Sequence, residues 1–276
     1  MAIKSLPQSI EVLRETQRGR FKHALFDFDG TVSLLREGWQ QVMGPLMVEM
    51  ICGGAPSTPE IEREVADFVD ETTGINTILQ MEGLVEKVRK HGLVPKDKIL
   101  DAHGYKAIYN ERLMQRVNER IAQLRSGALS LAQVTVRGSI EFVKALHDRG
   151  LQMYIFSGTD RDDVRAESAL VGVAPYFNEI WGALRTYQES NKEMIIKQII
   201  ANHDLHGSEV LVVGDGPVEI RLAHEHGCVS VGVCSDEVRG HGWNEEKRRR
   251  LTRAGADILI PDFGESEALL EYLFPG

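Results

Sequence analysis

Residues 25–32 read LFDFDGTV, which places Asp27 and Asp29 one residue apart in an apolar run, followed by a glycine and a threonine. Two carboxylates this close repel, and desolvating either costs on the order of several kcal/mol. A bound cation is the simplest compensation. Three later stretches also carry chemistry-bearing residues. FSGT at 156–159 contains Ser157, Gly158 and Thr159, Lys192 heads a helical pattern, and GDGPVE at 214–219 supplies Asp215 and Glu219.

The elements around these residues alternate between strand and helix. HALFDF (23–28), LQMYIFSG (151–158), EVLVVGDG (209–216), CVSVGV (228–233) and ADILIP (256–261) read as strands. RGSIEFVKALHDRG (137–150) has near-helical apolar spacing and ends in glycine, and a further helix is expected near 218–227. SNKEMIIKQIIANHD (190–204) opens with Ser190 and Glu193 at the spacing of a capping box. Strands that alternate with helices predict an α/β fold, a doubly wound parallel sheet with helices on both faces. Ligands bind such sheets beyond the carboxyl ends of the strands. Asp27, Asp29, Ser157 to Thr159 and Asp215 all fall at strand ends of this kind.

Residues 34–132 differ, with helical spacing and few strand signals. They predict a mostly helical cap inserted into a catalytic core formed by 1–33 and 133–276. GGAPSTPE (53–60) and HGLVPKDK (91–98) are its internal turns.

Together, DFDGT at 27–31, FSGT at 156–159, Lys192 and GDGPVE at 214–219 resemble the four ordered motifs of the haloacid dehalogenase superfamily. Within it the chain is similar to the phosphatase branch with a helical cap after the first motif, as in phosphoglycolate phosphatase and beta-phosphoglucomutase. The resemblance covers about 23–33 and 135–262, and for the cap only its position and helical character. It implies that Asp27 is a nucleophile forming an aspartyl phosphate, and that Asp29 is the general acid–base. It also implies that Asp27 and Asp215 ligate Mg²⁺ through their side chains and Asp29 through its backbone carbonyl. Ser157, with the amides of Gly158 and Thr159, would bind phosphoryl oxygens, and Lys192 would steady both the phosphoryl group and Asp27. Glu219 stands four residues after Asp215 where an aspartate is usual, so its expected place is behind the ligands, through water or another residue.

The chemistry of the residues agrees with this. A phosphate monoester is an anion and a cluster of carboxylates repels it. A hard divalent cation shared by carboxylate and phosphate oxygens resolves the conflict, and magnesium prefers that mixture. The motif residues reach only the phosphoryl group and the metal, so the leaving group must be read by the cap. Arg36, Thr77 and Gln80 are the candidates, with Thr73 and Asn76 in the same glycine-broken stretch, TTGINTILQ.

The composition excludes several other classes. The chain has 276 residues, 42% of them hydrophobic, and a formal net charge of −9, with no basic stretch interleaved with aromatics. Nucleic acid is therefore not an expected partner. The basic run Lys247 to Arg250 follows Glu245 and Glu246 and reads as a solvated helix face. Cys52, Cys228 and Cys234 show no metal-ligand spacing and suit free thiols in a reducing compartment. With no apolar run long enough for a membrane or a signal peptide, a cytoplasmic protein is expected. The expected activity is Mg²⁺-dependent hydrolysis of a small phosphorylated metabolite, with a sugar phosphate as the default. A sugar-phosphate mutase and a non-catalytic sugar-phosphate-binding protein remain open, as does the oligomeric state.

Overall fold

The computed structural model describes residues 6–184 and 192–275. Among these, seven strands form one sheet: β1 (Glu11–Val12), β2 (His23–Phe26), β3 (Gln152–Asp160), β4 (Glu179–Ala183), β5 (Val210–Gly214), β6 (Val229–Val233) and β7 (Ile258–Ile260). Their order is β1-β7-β6-β5-β2-β3-β4, parallel throughout except for β1 against β7. From β2 the chain winds outward through β3 and β4, then returns to the other side of β2 as β5. The reversal lies between β2 and β5, the place where open α/β sheets leave a crevice at their carboxyl ends.

The helices follow in chain order. Six lie between β2 and β3: α1 (Gln40–Cys52), α2 (Pro59–Glu71), α3 (Thr77–His91), α4 (Ala102–Ser126), α5 (Leu131–Val134) and α6 (Ser139–Asp148). Then come α7 (Arg161–Leu170), α8 (Lys192–Asn202), α9 (Pro217–Glu225), α10 (Glu245–Ala254) and α11 (Ser266–Leu273). The expected cap of α8, Ser190, lies outside the described residues.

β2, β5, β6 and β7 are buried on both faces, as the centre of a parallel sheet covered by helices requires. Ala24, Phe26, Ile155, Leu211 and Val213 pack with Phe142, Val143 and Leu146 of α6, Val164 of α7 and Leu273 of α11. Leu25, Phe156, Val210 and Val212 pack on the opposite face with Ile195, Ile196 and Ile199 of α8 and Leu222 of α9. Alternate residues of one strand thus supply two different cores. α1 to α4 enclose a separate apolar cluster that includes Met43, Leu46, Val65, Met81, Leu84 and Leu113. Local chemistry sets their ends: the Thr58 hydroxyl accepts the Ile61 N–H at 3.3 Å with Pro59 in the first turn of α2, and Gly53 and Gly92 close α1 and α3 with left-handed backbone.

Two strands had no clear signal in the sequence. β4, EIWGA, is a short edge strand with a half-buried centre and lacks an apolar run, and β1 is two residues long. β3 also runs past its expected end at Gly158 to Asp160, with a register shift against β4 between Phe156 and Asp160.

Candidate active site

Asp27 follows the last residue of β2 and continues its pairing, with its N–H donating to Val213 O at 2.8 Å. The side chain stands at the carboxyl end of the sheet beside Asp215, which follows Gly214 at the end of β5. Gly30 closes the turn after Asp29 at φ +74°, and a Cβ there would overlap Asp215 Oδ2, so a glycine is needed for the two strand ends to approach. The Thr31 hydroxyl donates to Asp215 Oδ1 at 3.2 Å.

Asp27, Asp215 and Glu219 are all buried, and each offers an oxygen within 4.8 Å of the others. Lys192, the first residue of α8, reaches into this cluster, with Nζ 3.0 Å from Asp27 Oδ2 and 2.9 Å from Glu219 Oε2. Burial opposes its charge, but the two carboxylates more than offset this and hold its pKa above the ordinary lysine value. Both Glu219 oxygens are engaged, Oε2 by Lys192 and Oε1 by the Gly216 N–H at 2.6 Å.

Asp29 lies on the other side. Its Oδ2 accepts from the Thr159 hydroxyl at 2.8 Å and the Ser157 hydroxyl at 3.4 Å, while the buried Oδ1 has no hydrogen-bond partner. Burial raises its pKa above the usual carboxylate value, against the pull of Arg36 and the two hydroxyls. Burial raises that of Asp27 further, and Lys192 does not cancel the effect, because Glu219, Asp215 and Asp29 add repulsion. The acidic cluster therefore carries more negative charge than Lys192 balances. Hard carboxylate oxygens arranged in this way fit a magnesium-type cation.

A pocket opens from Asp27 and Asp29 toward the helices inserted after β2. Its walls include Ser157, Gly158 and Thr159 together with Trp39, Thr77, Tyr109 and Leu113. Ser157 also accepts the Thr159 N–H at 3.1 Å, which orders the strand end. At the outer side Lys106 of α4 pairs with Asp160 at 2.5 Å, and Asn110, one turn on, reaches the same carboxylate at 3.5 Å.

The structure thus gathers Asp27, Asp29, Ser157, Gly158, Thr159, Lys192, Asp215 and Glu219 at one place. Thr77 and Gln80 line the pocket, though the Gln80 amide turns to Thr72, 3.2 Å from its hydroxyl. Arg36 lines the pocket too, but its guanidinium pairs with Glu167 at 2.6 Å and Asp163 at 2.9 Å, both from α7, and lies 3.9 Å from Asp29 Oδ1, so its charge is already matched by carboxylates.

The basic run 247–250 departs from expectation. Lys247 and Arg250 are buried at 6% and 7% exposure. Lys247 Nζ lies 2.6 Å from Asp215 Oδ2, and Arg250 pairs with Asp70 at the end of α2 at 2.5 Å. The available signal was positional, because α10 follows the carboxyl end of β6, next to β5 in the sheet. Lys106, Asn110 and Asp160 carried no motif.

A family model of haloacid dehalogenase-like hydrolases matches residues 21–227. The chain belongs to the haloacid dehalogenase-like hydrolases. Solved structures share this family's fold at low identity. A predicted phosphoglycolate phosphatase from Haemophilus somnus is 17% identical, with TM-score 0.59 over 91% of this chain and 98% of that one. A putative beta-phosphoglucomutase from Bacteroides vulgatus is 16% identical, with TM-score 0.61 over 94% and 93%. A haloacid dehalogenase family hydrolase from Deinococcus radiodurans with bound phosphate and sodium is 15% identical, with TM-score 0.55 over 92% and 97%. No curated protein matches the chain significantly. Among the described residues of this haloacid dehalogenase-like hydrolase, no helix is long and apolar enough to cross a membrane.

Proposed function

We propose that the chain is a Mg²⁺-dependent phosphomonoesterase that hydrolyses a small, hydroxyl-rich monophosphate through an aspartyl phosphate on Asp27. The observation that carries this reading is the contrast between two adjacent carboxylates. Asp27 faces Lys192 at 3.0 Å and two further carboxylates, Asp215 and Glu219, so that the lysine and a bound cation would together offset the burial and repulsion that oppose its ionised, nucleophilic form. Asp29 faces two hydroxyls in a buried setting that raises its pKa, as a proton carrier requires.

Asp27 and Asp215 would hold the cation, with the Asp29 carbonyl as a third ligand and Glu219 behind them. When bound, the cation offsets the charge between carboxylates and phosphate and polarises a phosphoryl oxygen. The chain's own groups do the rest. Ser157 and the amides at the end of β3 orient the phosphoryl group, and Lys192 holds Asp27 toward it. Asp29 gives its proton to the departing oxygen, then takes one from the water that attacks the aspartyl phosphate. Residues 34–132 act as a cap that excludes bulk water and reads the leaving group.

The described walls favour an uncharged leaving group. Both cations that line the pocket are matched, Arg36 by Glu167 and Asp163 and Lys106 by Asp160, so a second anionic group meets no unpaired positive charge there. Trp39 and Tyr109 offer flat apolar faces, and Thr77, Asn110 and the Lys106–Asp160 pair suit hydroxyls. A sugar-phosphate mutase is the second reading, favoured by this same polar outer wall, which suits an acceptor hydroxyl. A panel of phosphorylated metabolites assayed for released phosphate, with Mg²⁺ and again with excess EDTA, tests the proposal. Phosphate release unaffected by EDTA would reject the metal role, and Asp27→Asn should abolish release in a protein that stays folded.

A further inference from the structure

Lys247 touches a candidate metal ligand yet has no part in the phosphoryl chemistry above. Its Nζ lies 2.6 Å from Asp215 Oδ2 and 2.5 Å from Glu237 Oε1. The side chains of Lys247 and Asp215 are each 8% exposed. Taking an ammonium out of water is costly. The position adds to the cost, because Lys247 sits in the first turn of α10, where the positive end of the helix disfavours a cation. Burial and helix position both oppose the charge, so its two carboxylate partners must supply the reason for it.

The reason lies in the balance around the acidic cluster. Lys192 from α8 bridges Asp27 and Glu219, and Lys247 from α10 bridges Asp215 and Glu237. Four carboxylates therefore face two ammonium groups. The negative charge left over, to which Asp29 beside Asp27 adds, is what a divalent cation would offset.

We propose that Lys247 is a built-in counter-ion of Asp215 that competes with the divalent cation for this carboxylate and so sets how tightly the site binds it. Without the cation, Lys247 holds Asp215 beside the Thr31 hydroxyl and against Gly30, which keeps the repelling carboxylates in place. When the cation shares Asp215, Glu237 retains the lysine. Glu237 is the alternative partner that lets Asp215 be given up without leaving a buried ammonium unpaired. Lys247 is thus a positioning residue, acting on the cation through Asp215.

This inference rests on the metal reading given above. Calorimetric titration of the purified protein with MgCl₂ tests it, together with thermal midpoints measured without the metal. Lys247→Met should lower the Mg²⁺ Kd by about ten-fold, and Glu237→Gln should raise it about three-fold, because the lysine then pairs with Asp215 alone. Lys247→Arg, which keeps the charge, should retain the wild-type Kd. A lower midpoint in Lys247→Met with unchanged Kd would mean a purely structural lysine and overturn the proposal. A weaker Kd in Lys247→Met would overturn it too, by making Lys247 a builder of the cation site. If Lys247→Met does not fold, Glu237→Gln, at a partly exposed position, decides by its own Kd. No Mg²⁺ binding by the wild type would reject the metal reading and this inference together, whereas normal wild-type binding with unresponsive variants would reject this inference alone.

Discussion

A Cβ atom on Gly158 would lie 2.5 Å from the carbonyl oxygen of Ile75. Gly158 lies near the carboxyl end of β3, and Ile75 in the turn between α2 and α3. The inserted helices therefore press their backbone directly on the strand end that is proposed to bind phosphate. Gly158→Ala should push this turn away and misplace both the amides and the hydroxyls beside Asp29. A displacement of about 1 Å can cost on the order of a hundred-fold in rate, so kcat/KM for an aryl phosphate should fall by about that factor. Unchanged kinetics would show that the turn does not set the geometry of the site.

The proton-carrying role proposed for Asp29 predicts a dependence on the leaving group. Thr159 and Ser157 fix its Oδ2, and burial favours its protonated form. p-Nitrophenolate departs without help, whereas an alkoxide needs a proton. In Asp29→Asn, p-nitrophenyl phosphate should give a burst of about one equivalent of nitrophenol per site and then stall, because no base activates water. With an alkyl phosphate the burst itself should slow by about 10²- to 10⁴-fold. Equal slowing of both bursts would remove Asp29 from leaving-group protonation.

Water as the phosphoryl acceptor separates the hydrolase from the mutase. Turnover in ¹⁸O-water should place one labelled oxygen in each released phosphate. An isomeric sugar phosphate formed without free phosphate would assign the chain to the mutase instead.

Arg36 should matter for stability more than for substrate choice. Its guanidinium binds Glu167, whose pKa burial raises to about 7 even though Arg36 pulls it down. Removing one partner of such a buried pair costs about 3–5 kcal/mol, so Arg36→Ala should lower the unfolding midpoint sharply. Arg36→Met combined with Glu167→Met should recover part of the loss. A loss of kcat/KM confined to the natural substrate, with normal stability, would return Arg36 to the role of a substrate-binding residue.

These residues show where the sequence is legible. β2 and β5 read clearly because both faces are buried and both end in motif carboxylates, so fold and chemistry mark the same residues. β4 does not, because an edge strand needs little apolar surface. The partners of Arg36 and Lys247 were illegible for one physical reason. Whether a cation is solvated or buried depends on its partners, and Glu167 lies 131 residues from Arg36 and Asp215 32 from Lys247. Local spacing carries no trace of such pairings. The outer pocket wall was illegible for a related reason, since Lys106 and Asn110 meet Asp160 only after α4 folds over the end of β3.

The opposite end of β2 predicts how the protein responds to acid. His23 opens the strand, buried, with Nδ1 3.2 Å from the Tyr154 hydroxyl and its ring 4.5 Å from that of His203. Burial, then the charges of His203 and Lys22, lower its pKa from 6.5 to about 4. The unfolded chain binds a proton at this residue below about pH 6.5, and the folded chain does so only near pH 4. Between these values the unfolded state holds more protons, so stability falls as pH falls, by at most about 1.4 kcal/mol per pH unit for one group. Above pH 6.5 the contribution is complete and level. His23→Phe keeps an aromatic ring against Tyr154 and removes the titration. Urea unfolding at pH 7 and pH 5 should show the wild type losing more stability than His23→Phe over that interval, the carboxylates common to both contributing equally. Equal losses in the two proteins would mean that folded His23 takes up its proton as readily as the unfolded residue.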